Sequence, residues 1–194
     1  IWGHCDVCTT MSALVVAVST ASVLGQTAYP NGCTTTCAAE SSHISTNSQL
    51  KDRFYNAVIK CQQHTAPYCD LNNWDVSRVT DFSQIADPTL AAIKGDVATS
   101  VDSEFAAFNE DVGKWDTAQA TTMESAFSFL HAFNQNINGW VVSKVTNLKK
   151  AFYAVNDDDN TGDGKFNQPL SSWSVGKVTT LFETFKGQAF FNQN

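Results

Sequence analysis

Positive charge is scarce in this chain. Lys and Arg number 12 against 19 Asp and Glu, giving a formal net charge of -7. No Lys or Arg precedes Lys51. Such a chain lacks the electrostatic footprint of a nucleic-acid or anionic-lipid binder. Its only adjacent basic pair, Lys149-Lys150, reads as a solvated face rather than a phosphate site. Catalytic signatures are missing as well. There is no G-x-S-x-G, no H-E-x-x-H and no glycine-rich phosphate loop. His43, His64 and His131 keep no nucleophile spacing. These absences point away from an enzyme. No N-x-[ST] acceptor occurs, and no apolar run reaches the roughly 20 residues that cross a bilayer.

What is present begins with a shorter apolar run. Met11 is followed by about 14 apolar and small residues ending at Gly25, the length of a signal-peptide core. Val23 and Gly25 suit the small-residue cleavage positions, so the mature chain is expected to start near Gln26. The positive n-region of a signal is lacking. If Met11 is the start, residues 1–10 are upstream sequence read through. Cysteine usage agrees with export. Of six cysteines, four (Cys33, Cys37, Cys61, Cys69) follow the expected cleavage point, an even number suited to disulfides. Cys61 and Cys69 enclose a seven-residue loop with Pro67, an easy closure. Four cysteines allow three pairings, and the rest stay open. Residues 26–70 thus read as a cysteine-containing cap. Within it, Leu50, Phe54, Ala57, Val58 and Cys61 form one stripe and predict a helix over Ser48–Cys61.

The remainder, residues 71–194, is repetitive. Phe-Asn recurs at Phe108, Phe133, Phe166 and Phe191, with spacings of 25, 33 and 25 residues. Trp follows seven residues after the first three, at Trp115, Trp140 and Trp173, and a fourth Trp with similar surroundings is Trp74. The long steps are one period plus insertions of eight and 16 residues. Numbering the Phe as position 1, Trp holds position 8 and Thr holds position 14 (Thr80, Thr121, Thr146, Thr179). Position 5 is Leu71, Val112, Ile137 and Leu170. Position 10 is Val76, Thr117, Val142 and Val175. Positions 13, 16 and 20 are apolar at helical spacing. Positions 8 and 10 alternate like a short half-buried strand, and Thr at position 14 suits a helix entry. The expected fold class is therefore α/β: a leucine-rich-repeat-like solenoid of ~25-residue strand/turn-helix units behind an N-terminal helical cap. The chain begins at Ile1 and stops as Phe191 opens another unit, so the expectation is a fragment truncated at its C-terminus.

The segments Asn73-Trp-Asp-Val-Ser-Arg-Val-Thr-Asp-Phe82 and Phe166 to Thr179 resemble the unit of BspA-like leucine-rich-repeat surface proteins, F-N-x-x-I-x-x-W-D-V-S-x-V-T-x-M-x-x-M-F. The likeness covers Leu71 to Asn194. It departs at Val141 and Ser174, where Asp usually follows Trp, and at Ala118-Gln119-Ala120. The resemblance implies an exported, surface-exposed protein that binds proteins or cell surfaces, with no catalytic residues to carry over. A spacer or matrix element, or a non-catalytic part of a larger secreted enzyme, is the alternative.

Three features carry the remaining chemistry. The four tryptophans, in step with Val and Leu, are expected in the core rather than as sugar platforms. The asparagines after Phe are expected to form a stacked row that satisfies backbone groups. The insertion Asn156–Gly164 gathers Asp157, Asp159 and Asp163 with two glycines and suits calcium. It matches only the first half of an EF-hand loop, since Gln168 stands where the bidentate acid belongs, so the binding expected of it is weak. The insertion is expected to project from the coil without disturbing the register at Phe166. No other cofactor is implied.

Overall fold

The computed structural model describes residues 43–61, 71–86, 98–155 and 162–193. The expected signal segment, Cys33, Cys37, Cys69, Asp157 and Asp159 lie outside them. The described residues hold two α-helices, α1 (Asn47–Cys61) and α2 (Ala98–Ala107), with a 3-10 turn at Leu71–Asn73. Helix α1 begins where its ends can be satisfied. The Thr46 hydroxyl accepts the Gln49 N–H at 3.2 Å, and Gln49 reaches back to the Ser45 N–H at 3.0 Å, a variant of the capping box. Its apolar stripe is buried at Leu50, Phe54, Ala57 and Val58. Helix α2 lies in the 16-residue insertion and delivers Phe105 onto Phe54 and Tyr55.

The α/β class is overturned. Both α-helices lie outside the repeat units, and among the described residues the units hold no strand and no α-helix. They are successive turns whose ladder pairing with their neighbours is confined to isolated parallel bridges, among them Asp81 to Thr122, Thr122 to Asn147 and Asn147 to Thr180. The leucine-rich-repeat-like alternation of strand and helix is therefore absent. At position 8, Trp115, Trp140 and Trp173 are buried, and at position 10, Val76, Thr117 and Val142, while Trp74 is half-buried and Val175 exposed; all lie in coil.

The backbone explains why positions 13 to 20 do not coil into a helix. Position 18 has positive φ in every unit: Gln84 at 52°, Ser125 at 53°, Lys150 at 53° and Glu183 at 54°. A right-handed helix cannot pass through such a residue. The N–H groups go elsewhere. Met123, Ser125, Phe127 and Phe129 donate to the carbonyls of Asn147, Lys149, Ala151 and Tyr153 in the next unit, at 2.7–2.9 Å. The intervening N–H groups of Ala126 and Ser128 close turns three residues back. Leu148, Lys150, Phe152 and Ala154 repeat the cross-unit pattern onto Thr180, Phe182, Thr184 and Lys186. Helical spacing of apolar side chains thus arises from a chain of turns whose even-numbered amides reach across to the neighbour.

Threonine 14 is likewise no helix entry. Thr121, Thr146 and Thr179 each place both N–H and Oγ1 on the carbonyl of the preceding threonine. The core lies inside these turns. Position-1 rings stack from Phe108 to Phe133 to Phe166 to Phe191 at centroid distances of 6.0–6.2 Å. Position-20 rings interleave with them, Phe127 on Phe133 at 4.7 Å and Phe152 on Phe166 at 4.6 Å. Phe54 of α1 closes the column on Phe108 at 4.8 Å. Each fully buried ring contributes roughly 1.5–3 kcal/mol of burial, so the aromatic columns are the main hydrophobic contribution of the repeat.

Candidate binding surface

Trp74, Trp115 and Trp140 stack at 6.0–6.1 Å and nearly parallel. Their polar handle is used internally. The Nε1–H of Trp115, Trp140 and Trp173 donates to the position-5 carbonyl of the unit before: Leu71, Val112 and Ile137. Trp115, Trp140 and Trp173 are buried and Trp74 is half-buried, so the indoles build the core and offer no sugar platform. The asparagine row also works as a structural ladder. The N–H groups of Asn134, Asn167 and Asn192 each bond the Oδ1 of the preceding asparagine at 2.8–3.1 Å. Gln135, Gln168 and Gln193 complete it, each Nε2 bonding that asparagine's carbonyl. The glutamines were missed in the sequence, although their recurrence after Asn is visible there.

The acidic insertion is partly overturned. Gly162 bridges Val155, and Gly164 bridges Gln188. A Cβ on Gly162 would collide with the Gly187 backbone, and one on Gly164 with Gln188 and Ala154. The end of the insertion is therefore packed down rather than projecting, and the glycines are there for close approach. Asp163 is exposed and pairs with Nδ1 of His131, whose carbonyl accepts the Lys165 N–H. Among the described residues no three His, Cys, Asp or Glu side chains gather as a metal site, and Asp157 and Asp159 lie outside them. Cys61 ends α1, and its proposed partner Cys69 lies outside the described residues.

What the turns leave outside is a rim formed by positions 4, 9, 11 and 12. In the first two units the position-9 acids serve the turn: Asp75 accepts the Ser77 N–H and hydroxyl, and Asp116 the Ala118 N–H. The third and fourth units replace them with Val141 and Ser174. There a shallow groove of about 340 Å³ opens beside Asn136, Asn138, Val141, Ser143, Ser172 and Ser174. Val141 is 48% exposed. The groove holds no charged side chain. Asn138 lends its Oδ1 to the Ser172 N–H and so ties its two walls together.

Residues 48–194 match the family described as Mycoplasma protein of unknown function, DUF285. The chain belongs to this family. No curated protein and no solved structure matches it. In this DUF285 chain several acidic groups are shifted by their neighbours. The Ser77 hydroxyl, the Ser77 N–H and His43 hold Asp75 down at about 2. Lys149 and Asn147 lower Glu124. Lys186 and then Lys150 lower Glu183, while burial raises Glu110. Lys150 also stands over the Tyr153 ring at 4.7 Å. No helix among the described residues is long and apolar enough to cross a membrane.

Proposed function

We propose that this DUF285 chain is a secreted or cell-surface binding protein whose partner is a protein or another cell-surface macromolecule, and that it has no catalytic role. One observation carries the reading. The buried columns repeat from unit to unit, whereas the exposed rim beside them changes chemistry: Asp75, Asp116, Val141 and Ser174 at position 9, and Arg78, Gln119, Lys144 and Lys177 at position 12. A fixed core under a variable, preformed rim is how stacked repeats present a broad face to a macromolecule. The likeness of the Trp-Asp-Val-Ser units to BspA-like surface proteins supports the same reading, and the apolar run before Gly25 supports export. The uncharged groove at Val141 is the preferred contact, because an exposed apolar side chain among amides and hydroxyls combines burial with directional bonding.

Labelled protein should bind intact cells, and protease treatment of those cells should abolish binding. Val141→Asp should lose at least tenfold in affinity with its melting temperature unchanged. Equal binding by that variant would move the contact off the groove. Absence of binding to every surface tested would favour a spacer role. Amino-terminal sequencing of exported protein tests the secretory assignment, with Gln26 as the expected first residue.

A further inference from the structure

The groove beside Val141 has more to it than a lack of charge. Both of its carboxamides are held by their oxygens. Asn136 Oδ1 accepts the Asn138 N–H at 3.1 Å, and Asn138 Oδ1 accepts the Ser172 N–H at 2.9 Å. Each Nδ2 is thereby left as a fixed donor with no partner among the described residues. The hydroxyls of Ser143, Ser172 and Ser174, which line the same groove, have none either. A hydroxyl donates once and can accept twice. Five neutral polar groups thus surround one exposed aliphatic side chain, Val141.

Linear peptides are taken up in a few recurring ways, and this lining serves none of them. Strand addition needs an exposed strand edge, and the described units hold no strand. A docked helix needs apolar anchors on successive turns. Beside Val141 the apolar side chains of the lining, Trp140 and Val142, are only 2% and 1% exposed. A proline-rich segment needs an open aromatic surface, and the ring in this lining is the buried Trp140. An acidic motif needs arginines, and the lining carries no charge.

We infer, resting on the cell-surface reading above, that the groove takes a neutral saccharide borne by that partner. A sugar ring has the complementary make-up. It offers a C–H face to lie on Val141, and hydroxyls that exchange bonds with the serines and accept from the carboxamide N–H groups. Donors already fixed in place spare part of the ordering cost of binding. The groove's volume of about 340 Å³ lies at the lower end of the ~300–1,000 Å³ of small-ligand clefts, which suits a short stretch of glycan. Charged sugars are disfavoured. The chain's net charge is -7, and no cation in the lining would offset an anionic ring. The contact is made by side-chain amides, hydroxyls and Val141, because the indoles of Trp140 and Trp173 are spent on the position-5 carbonyls.

The test is an array of neutral oligosaccharides (glucose, galactose and N-acetylhexosamine oligomers) printed beside sialylated and sulfated ones and probed with the whole chain. The protein should bind at least one neutral class tenfold or more better than any charged one. The Ser143→Ala, Ser174→Ala double variant removes two hydroxyls that have no internal partner. It should lose at least tenfold on the same spots with its melting temperature unchanged. Ser171→Ala, exposed but outside the lining, should bind like the parent. Mild periodate, which cleaves vicinal diols and leaves peptide bonds intact, should abolish binding to cells. A blank array, equal binding to charged sugars, or full binding by the double variant overturns the inference. Cell binding that survives periodate overturns it too, and leaves the cell-surface reading standing with protein as the contact. Array binding without cell binding does the opposite: it sinks the cell-surface reading and upholds the saccharide in the groove.

Discussion

The step from the second unit to the third spans 25 residues, and the step from the third to the fourth spans 33. Yet the two steps are built alike. Trp140 reaches Val112 and Trp173 reaches Ile137 at the same 3.1 Å. The asparagine ladder bond is 2.8 Å in one and 2.9 Å in the other. The rings of position 1 lie 6.2 and 6.0 Å apart. Chain length between units therefore does not set the register. The interlocking columns and ladders do, and an insertion adds only a loop-closure cost that grows slowly with its length. What differs is the packing of the extra residues, for Gly162 and Gly164 fill the margin of the longer step.

The comparison breaks most severely at the shared column. Trp140→Ala should cost roughly 3–5 kcal/mol, from a large cavity plus the lost indole bond to the Val112 carbonyl. Trp173→Ala should cost less, because that ring sits at the open margin and is 9% exposed. Equal losses by denaturant unfolding would contradict the difference between the two steps. The next effect belongs to the longer step alone. Gly162→Ala should cost about 1–3 kcal/mol, since the added carbon meets Gly187 backbone rather than a yielding side chain. Gly139→Ala, with nothing near its Cβ, is the control and should be close to neutral.

A smaller change should go the other way. Ser125 holds φ at 53°, and Ser125→Gly should raise stability by about 1 kcal/mol by removing left-handed strain. A drop in melting temperature would mean that the hydroxyl matters more than the strain. The smallest effect lies in acid. Asp75 is held at about 2 against a usual 3.8, so its folded-state value is depressed. Its contribution is then complete above the usual value and is lost as pH falls through the folded one. Asp75→Asn should flatten the melting temperature between about pH 4 and pH 2 relative to the parent protein. An identical acid profile would show that the Ser77 contacts do not persist in solution.

The repeat was legible because its columns demand large rings at fixed intervals, so Phe108, Trp115 and their counterparts stand out against a variable background. The helix of α1 was legible from its single apolar stripe, whereas the cap at Thr46 and Gln49 emerged only in the structure. The units' own backbone was not. Apolar side chains at positions 13, 16 and 20 have a helix's spacing, and only the dihedral at position 18 separates the two conformations. No glycine or asparagine marks that position: it is Gln84, Ser125, Lys150 and Glu183. The strain is carried by cross-unit hydrogen bonds, and these cannot be read from one unit's sequence. Threonine 14 misled in the same way, since one hydroxyl suits a helix cap or a ladder equally well. The groove at Val141 was hidden for another reason. The departure from Asp at position 9 was plain, but the space it opens depends on the neighbouring unit.

The one-way run of amides at positions 16 to 22 also makes the stack an electrical object. Peptide units whose N–H vectors share a direction add their dipoles, as they do along an α-helix. Here the sense is reversed: the N–H groups point toward later units, so the positive pole lies at the Leu181–Gly187 end. The threonine amides at position 14 run the other way and cancel only a part. A carboxylate near that end is favoured and an ammonium disfavoured, by fractions of a kcal/mol that salt would screen. The array thus has a polarity along its axis that net charge alone does not reveal.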